Sequence, residues 1–295
     1  MSQLAVASGA LRNRPALRRR RAKSAVYTGL LVAALALAMG ALAWVLIYVG
    51  VQGFSALSVN FLTHNPPGDP AAAGGGFFNG IMGSLIVVGI AAGIAIPLGI
   101  GAAVYLVEYG KGRAPGVIRF VNDVLIGIPT IVTGAFVYAI WVTRFGFSGF
   151  AGSLALAIVM LPLVTRTTEE MLRLVPNDLR EGSLALGATR SQTVLRICLP
   201  TALPGIITGA MLAVARAMGE TAPLLLTALG NELFTELNPG KRMETLSLQI
   251  FTNAFTGFKQ AQSRAWAGAL TLIAIVLILT AAARFFGRRV RTADS

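Results

Sequence analysis

The sequence predicts an all-α, polytopic membrane protein with six transmembrane helices, on three observations. Hydrophobic residues make up 55% of the 295 and charged residues only 13%, about half the charge of a soluble domain. The charges leave six apolar stretches of about 20 residues or more, each able to cross roughly 30 Å of hydrocarbon. Lysine and arginine gather at the ends of those stretches, as membrane topology requires.

The first span, 25–51, follows a basic tail at 1–24 that contains "RRRRAKS" (18–24). "ALA" at 41–43 resembles a signal-peptide cleavage site, but the apolar run continues to Val51, longer than a signal core. An uncleaved helix is the expectation, and 25–79 holds that helix and an external loop. The loop contains "THNPPGDP" and the single histidine, His64, which reads as a solvated loop residue without a metal-binding partner. The second span, 80–106, is rich in glycine at spacings that let helices approach closely, so it belongs inside a bundle. Spans at 120–142, 147–165, 204–229 and 265–284 follow, and 288–295 is a short tail.

Orientation follows from the basic residues. Nineteen Lys and Arg fall on the side of the two tails and the 107–119 and 166–203 connections, against five on the other side. Both termini are therefore expected in the cytoplasm. The net charge of +13 reads as this topology signal with some contact to anionic lipid, rather than nucleic-acid binding. The single cysteine, Cys198, excludes an internal disulfide. Zincin, GxSxG and Walker A motifs are missing from the sequence, so neither catalysis nor a cofactor or metal is expected of this chain.

The 166–203 connection is too patterned for a linker. "NDLREGSLALGATRSQTVLRICLP" (177–200) divides at Gly187 into two short helical pieces. Asp178 is placed to cap the first, with Glu181 three residues on. Gly187 suits a left-handed helix end. Thr189 or Ser191 can cap the second piece, and Pro200 and Pro204 are expected to break the chain before the fifth span. Such a knob either lies on the membrane surface or docks a soluble partner.

The fifth span contains Arg216 and Glu220, one turn apart and able to pair. Each charge alone would cost about 3 kcal/mol in hydrocarbon. Pro223 lacks a backbone donor, so a kink beside the pair is expected. The pair is either a structural lock between helices or a gate for an anion, for which a planar guanidinium offers two hydrogen bonds. Arg166, at the end of the fourth span, is either a second anion contact or an ordinary interfacial arginine.

The spacing from Glu181 to Gly187 and on to Ile197, Leu199 and Pro200 resembles the EAA loop of permease subunits of bacterial ABC importers. "EGS" stands where that pattern has E-A-A, and Gly182 weakens the helix by roughly 1 kcal/mol relative to alanine. "ARAMGETAPLLLTA", "GIPTIVTGAF", "RTTEEMLRLVP" and "AWAGALTL" are similar to the A-type permease family of bacterial phosphate-specific importers. This resemblance implies a type I importer core at 80–287, with a coupling loop at 178–200 that fits an ATPase subunit. It places Arg216, Glu220 and Arg166 on the phosphate path. It also implies a C-type permease partner, an ATPase dimer that hydrolyses the ATP, an external phosphate-binding protein and location in the inner membrane. Another oxyanion (sulfate, molybdate or phosphonate) remains an alternative substrate, and a channel or scaffold without an ATPase is a further alternative.

Overall fold

A computed structural model describes residues 14–292, and the side chains of these except 14–18, 284 and 286–292. Residues 1–13 of the basic tail and 293–295 of the C-terminal tail lie outside the described residues. The chain divides into two units, Met1–Val51 and Gln52–Ser295. The described part of the first unit is helical, within α1 (Arg14–Ala56), which passes through "ALA" at 41–43 without a break.

In the second unit a short helix, α2 (Val59–Thr63), capped by Ser58, leads into a Pro/Gly-rich loop. His64 is exposed at its C-terminus, with Nδ1 2.9 Å from Thr63 Oγ1. The glycine-rich span is α3 (Phe78–Val104), prolonged by a π-helical turn over Tyr105–Tyr109. Its buried residues Gly83, Val87, Ala91, Ala95, Gly99 and Ala103 recur every fourth position and form one face. Gly89, Gly93 and Gly101 have no neighbour within 4 Å of a built Cβ, so the helix is open at those positions. A Cβ at Gly99 would stand 2.9 Å from Val164 Cβ, which shows why the helices can approach there only without one.

The third span is not one rod. α4 (Ala114–Gly127) and α5 (Thr130–Val137) meet at 103° across Ile128 and Pro129, and α5 continues through a π-helical turn to Phe145. Pro129 cannot donate a backbone hydrogen bond, and Ile128 is extended at ψ 130°, as a residue before proline prefers. The fourth span, α6 (Gly149–Arg173), ends eight residues beyond the expected 165 and is the central element. Leu156, Met160 and Val164 on α6 pack against Val87, Ala91 and Ala95 of α3. Ala213 and Ala217 complete the same cluster from α9 (Leu199–Met218).

The first knob helix is α7 (Asn177–Ala185), and the second piece, α8 (Arg190–Thr193), runs through a π-helical turn (Val194–Cys198) directly into α9. Pro200 and Pro204 therefore do not break the chain: the unit Arg190–Met218 is one span. Pro200 falls in the first turn of α9, where its missing donor costs little, next to a π-helical turn that already departs from α-helical spacing.

The fifth helix ends at Met218 rather than near 229. Gly219 to Thr221 separate it from α10 (Ala222–Leu225), and Pro223 lies in the first turn of that new helix. The expected kink at Pro223 is thus a chain break four residues earlier, and Pro223 starts a helix instead of bending one. α11 (Leu246–Ala254) and α12 (Lys259–Thr292) finish the chain. Among the described residues, five helices are long and apolar enough to cross a membrane, and the bent α4–α5 pair, counted as one span, makes a sixth.

Candidate functional site

Arg216 lies in the last turn of α9, where a cation is favoured by the partial negative charge of the free carbonyls. Its Nε is 3.5 Å from Glu220 Oε1, and its side chain is 55% exposed while that of Glu220 is 15% exposed. The pair is loose, and among the described residues the guanidinium retains open donors. Arg216 borders a small cleft of about 40 Å³ with Ile128 and Thr130 from the α4–α5 break, Thr133 of α5, and Pro162 and Leu163 of α6. Thr133 Oγ1 donates to the Thr130 carbonyl at 2.6 Å. A charged side chain therefore faces irregular backbone and hydroxyls, an arrangement tolerated at membrane depth where it lines a cavity or is buried in protein. Gly134 closes this corner: a Cβ there would stand 2.6 Å from Pro223 Cα. Ser247 on α11 donates to the Glu220 carbonyl at 2.9 Å, tying the break to the last part of the fold.

Arg166 is in the interior of α6 and not at its end. It pairs with Glu170 at 2.8 Å and Asp123 of α4 at 3.7 Å, and does not border the Arg216 cleft. The structure brings Arg216 and Glu220 together and leaves Arg166 in a separate, half-exposed network.

The knob has the expected division with a different start. Pro176 precedes α7, and Asp178 lies inside the first turn rather than capping it. An acid there still interacts favourably with the helix N-terminus. Gly187 adopts φ +83°, with its N–H bonded to the Leu184 carbonyl and that of Ala188 to Ser183. Thr189 and Gln192 form a capping box on α8. Ser183 and Thr193 hydroxyls meet at 2.9 Å in the buried seam between the two pieces. Glu181, Leu184 and Leu186 point outward, Leu186 with 90% of its surface exposed. Ile197, Leu199 and Pro200 lie half-buried where the knob becomes α9. A Cβ at Gly182 would meet nothing within 4 Å, so "EGS" leaves the packing untouched.

Several polar groups escape sequence reasoning. Glu169, buried on α6, binds Arg119 of α4 at 2.7 Å and also Arg173. Arg180 of α7 pairs with buried Glu108 at 3.0 Å. Asn79 donates to the carbonyls of Asn231 and Glu232 and accepts from Gln249. Arg264, buried on α12, holds the Pro/Gly-rich loop through the carbonyls of Pro70 and Ala72 at 3.0 and 2.7 Å. The available signal was an ionisable residue in or beside an apolar stretch, which marks Glu108, Glu169 and Arg264 without naming their partners.

A model of the family "Binding-protein-dependent transport system inner membrane component" matches residues 95–292. The phosphate transport system permease protein PstA 1 of Mycobacterium tuberculosis strain H37Rv is 42% identical over 286 residues, 94% of this chain and 92% of that protein. The permease protein PstA of Haemophilus influenzae is 42% identical over 247 residues, 83% of this chain and 86% of that one. Among solved structures, a bacterial alginate ABC transporter chain matches with TM-score 0.66 and 14% identity over 92% of this chain and 97% of that one. An inward-facing MetNI methionine transporter chain matches with TM-score 0.59 and 18% identity, covering 72% and 95% of the two chains. The fold is that of an ABC importer permease, and the chain belongs to the family of binding-protein-dependent transport system inner membrane components.

Proposed function

We infer that this chain is the A-type permease subunit of an ATP-driven importer of inorganic phosphate, forming half of the translocation path. The 42% identity to phosphate permeases along 94% of the chain carries the substrate. The half-exposed Arg216 guanidinium beside the α4–α5 break supports a path for an oxyanion. As a member of its family the chain is a multi-pass inner-membrane component and not an enzyme; the importer fold implies a separate ATPase and a binding protein. The phosphate-binding protein, the C-type permease and the ATPase dimer belong to this proposal. So does an orientation with both termini and the knob in the cytoplasm, which rests on the positive-inside count.

In the proposed cycle the ATPase pair closes, draws the 178–200 knob inward and reorients the spans. Glu181 and the exposed leucines give the ATPase its surface, and Gly187 sets the angle between the two knob helices. Phosphate exchanges for Glu220 on Arg216, whose 3.5 Å contact is weak enough to be replaced. Arg166 acts as a second contact if its carboxylate partners yield.

The test is labelled-phosphate uptake in a bacterial strain lacking its own A-type permease, complemented with this chain and its cognate partners. Uptake that excess sulfate, molybdate or phosphonate does not reduce is expected. A well-assembled complex that restores no uptake, or one that another oxyanion saturates, overturns the phosphate reading.

A further inference from the structure

Arg180 and Glu181 are neighbours in α7 with opposite destinies. Consecutive helical residues point about 100° apart, so Glu181 faces out while Arg180 turns back into the body of the chain. There its Nη1 donates to the Val175 carbonyl at 2.6 Å and its Nη2 to the Leu172 carbonyl at 2.7 Å. Its Nε meets Glu108 Oε1 at 3.0 Å. Leu172 and Val175 are at the C-terminal end of α6, and Glu108 lies in the π-helical turn that ends α3. Cys198, fully buried, lies beside both members of the pair in the π-helical turn that starts α9. Arg190 adds a second tie, its guanidinium 5.4 Å from the centre of the Tyr109 ring.

One arginine of the knob therefore holds the ends of two spanning helices, α3 and α6, at a single point. A buried ion pair is a poor device for stability, because apolar residues of the same volume often serve as well or better. It does fix a geometry, since the planar guanidinium fork donates to its partners in few orientations.

We propose that the Arg180–Glu108 pair, beside buried Cys198, is the strut that makes the knob, already continuous with α9, move as one body with α3 and α6. This inference rests on the importer reading above and adds two positioning residues to it. Motion imposed on the outer face of α7 reaches the spans through Arg180, and a binding protein docked at the far side signals back along the same route. The pair touches neither substrate nor nucleotide.

The experiment uses the full complex in proteoliposomes with its cognate binding protein and inorganic phosphate, comparing native chain with Glu108→Gln and Arg180→Lys. Two quantities are read: phosphate imported per ATP hydrolysed, and labelling of Cys198 by a maleimide with and without vanadate trapping. A purely structural role would lower import and hydrolysis together through lost complex. The strut instead requires normal assembly, persisting hydrolysis and a fall of about fivefold or more in import per ATP, the scale of ordinary coupling energies. In the native chain Cys198 stays unlabelled in both states; in Glu108→Gln it labels on trapping. Should Glu108→Gln fail to assemble, Arg180→Lys decides, because it keeps the charge and loses the fork. Unchanged import per ATP in the assembled variants, or native Cys198 that labels on trapping, overturns the strut. If the native complex hydrolyses ATP but imports no phosphate, the substrate reading falls, while thiol labelling still decides the strut.

Discussion

At the scale of single residues, Glu244 has the most unusual environment outside the spans. Its side chain is buried, its Oε1 has no hydrogen-bonding partner among the described residues, and a Cβ on Gly230 would stand 2.6 Å from its Oε2. Burial pushes its carboxyl from 4.5 up to about 8, and the charge of Glu232 adds to this against the backbone N–H groups of Asn231 and Thr245. The folded chain thus holds this proton more tightly than the unfolded chain. Stability from it is complete below about 4.5 and is lost as pH rises toward 8. Each pKa unit is about 1.4 kcal/mol, so the total is a few kcal/mol. The thermal midpoint of the native complex in detergent is expected to fall between pH 5 and 8.5. Glu244→Gln should flatten that slope and raise the midpoint at the alkaline end; an unchanged slope contradicts the assignment.

At the scale of elements, the sites of closest approach make the sharpest predictions. Gly134 backs onto Pro223, so Gly134→Ala must push α5 from α10 at the corner beside Arg216. Overpacking of this kind costs about 1–3 kcal/mol, and a lower thermal midpoint with reduced uptake is expected. Native values for both would mean that the corner is soft. Gly182→Ala is the opposite case: an exposed helical position with open space should gain about 0.5–1 kcal/mol of helix stability. Uptake by that variant at the native level would show that the ATPase has no need of glycine there. The elements also show what was legible. Long apolar runs announced α3, α6 and α12, and Gly187 announced the division of the knob through its need for φ +83°. The breaks were harder. Pro200 and Pro204 read as breakers yet sit inside one continuous span, because a π-helical turn and a helix start accommodate them. Ile128–Pro129 lies inside an unbroken apolar run and nonetheless bends it by 103°. Proline signals a missing donor in both places, and only tertiary packing decides whether the helix absorbs it.

For the whole molecule, the arrangement separates two tasks. The knob, held by Arg180 and Glu108, is built at one end of the second unit, and the Arg216 cleft lies between α9 and the broken span. Residue pairs one helical turn apart, such as Arg216 with Glu220, could be read directly from spacing. Pairs joined across the fold, such as Arg180 with Glu108 or Arg119 with Glu169, require the packing of α3, α4, α6 and α7 and have no local pattern. The proposed transport cycle requires Arg216 to take part in anion passage. Its most direct test is ATP-driven uptake of labelled phosphate by proteoliposomes holding the native or Arg216→Gln complex at matched incorporation. Loss of a charged hydrogen-bonding partner is worth about 1.5–3 kcal/mol, so uptake should fall about tenfold or more, with Arg216→Lys retaining part of it. Uptake by Arg216→Gln at the native rate would contradict the account and leave the pair as a lock between helices.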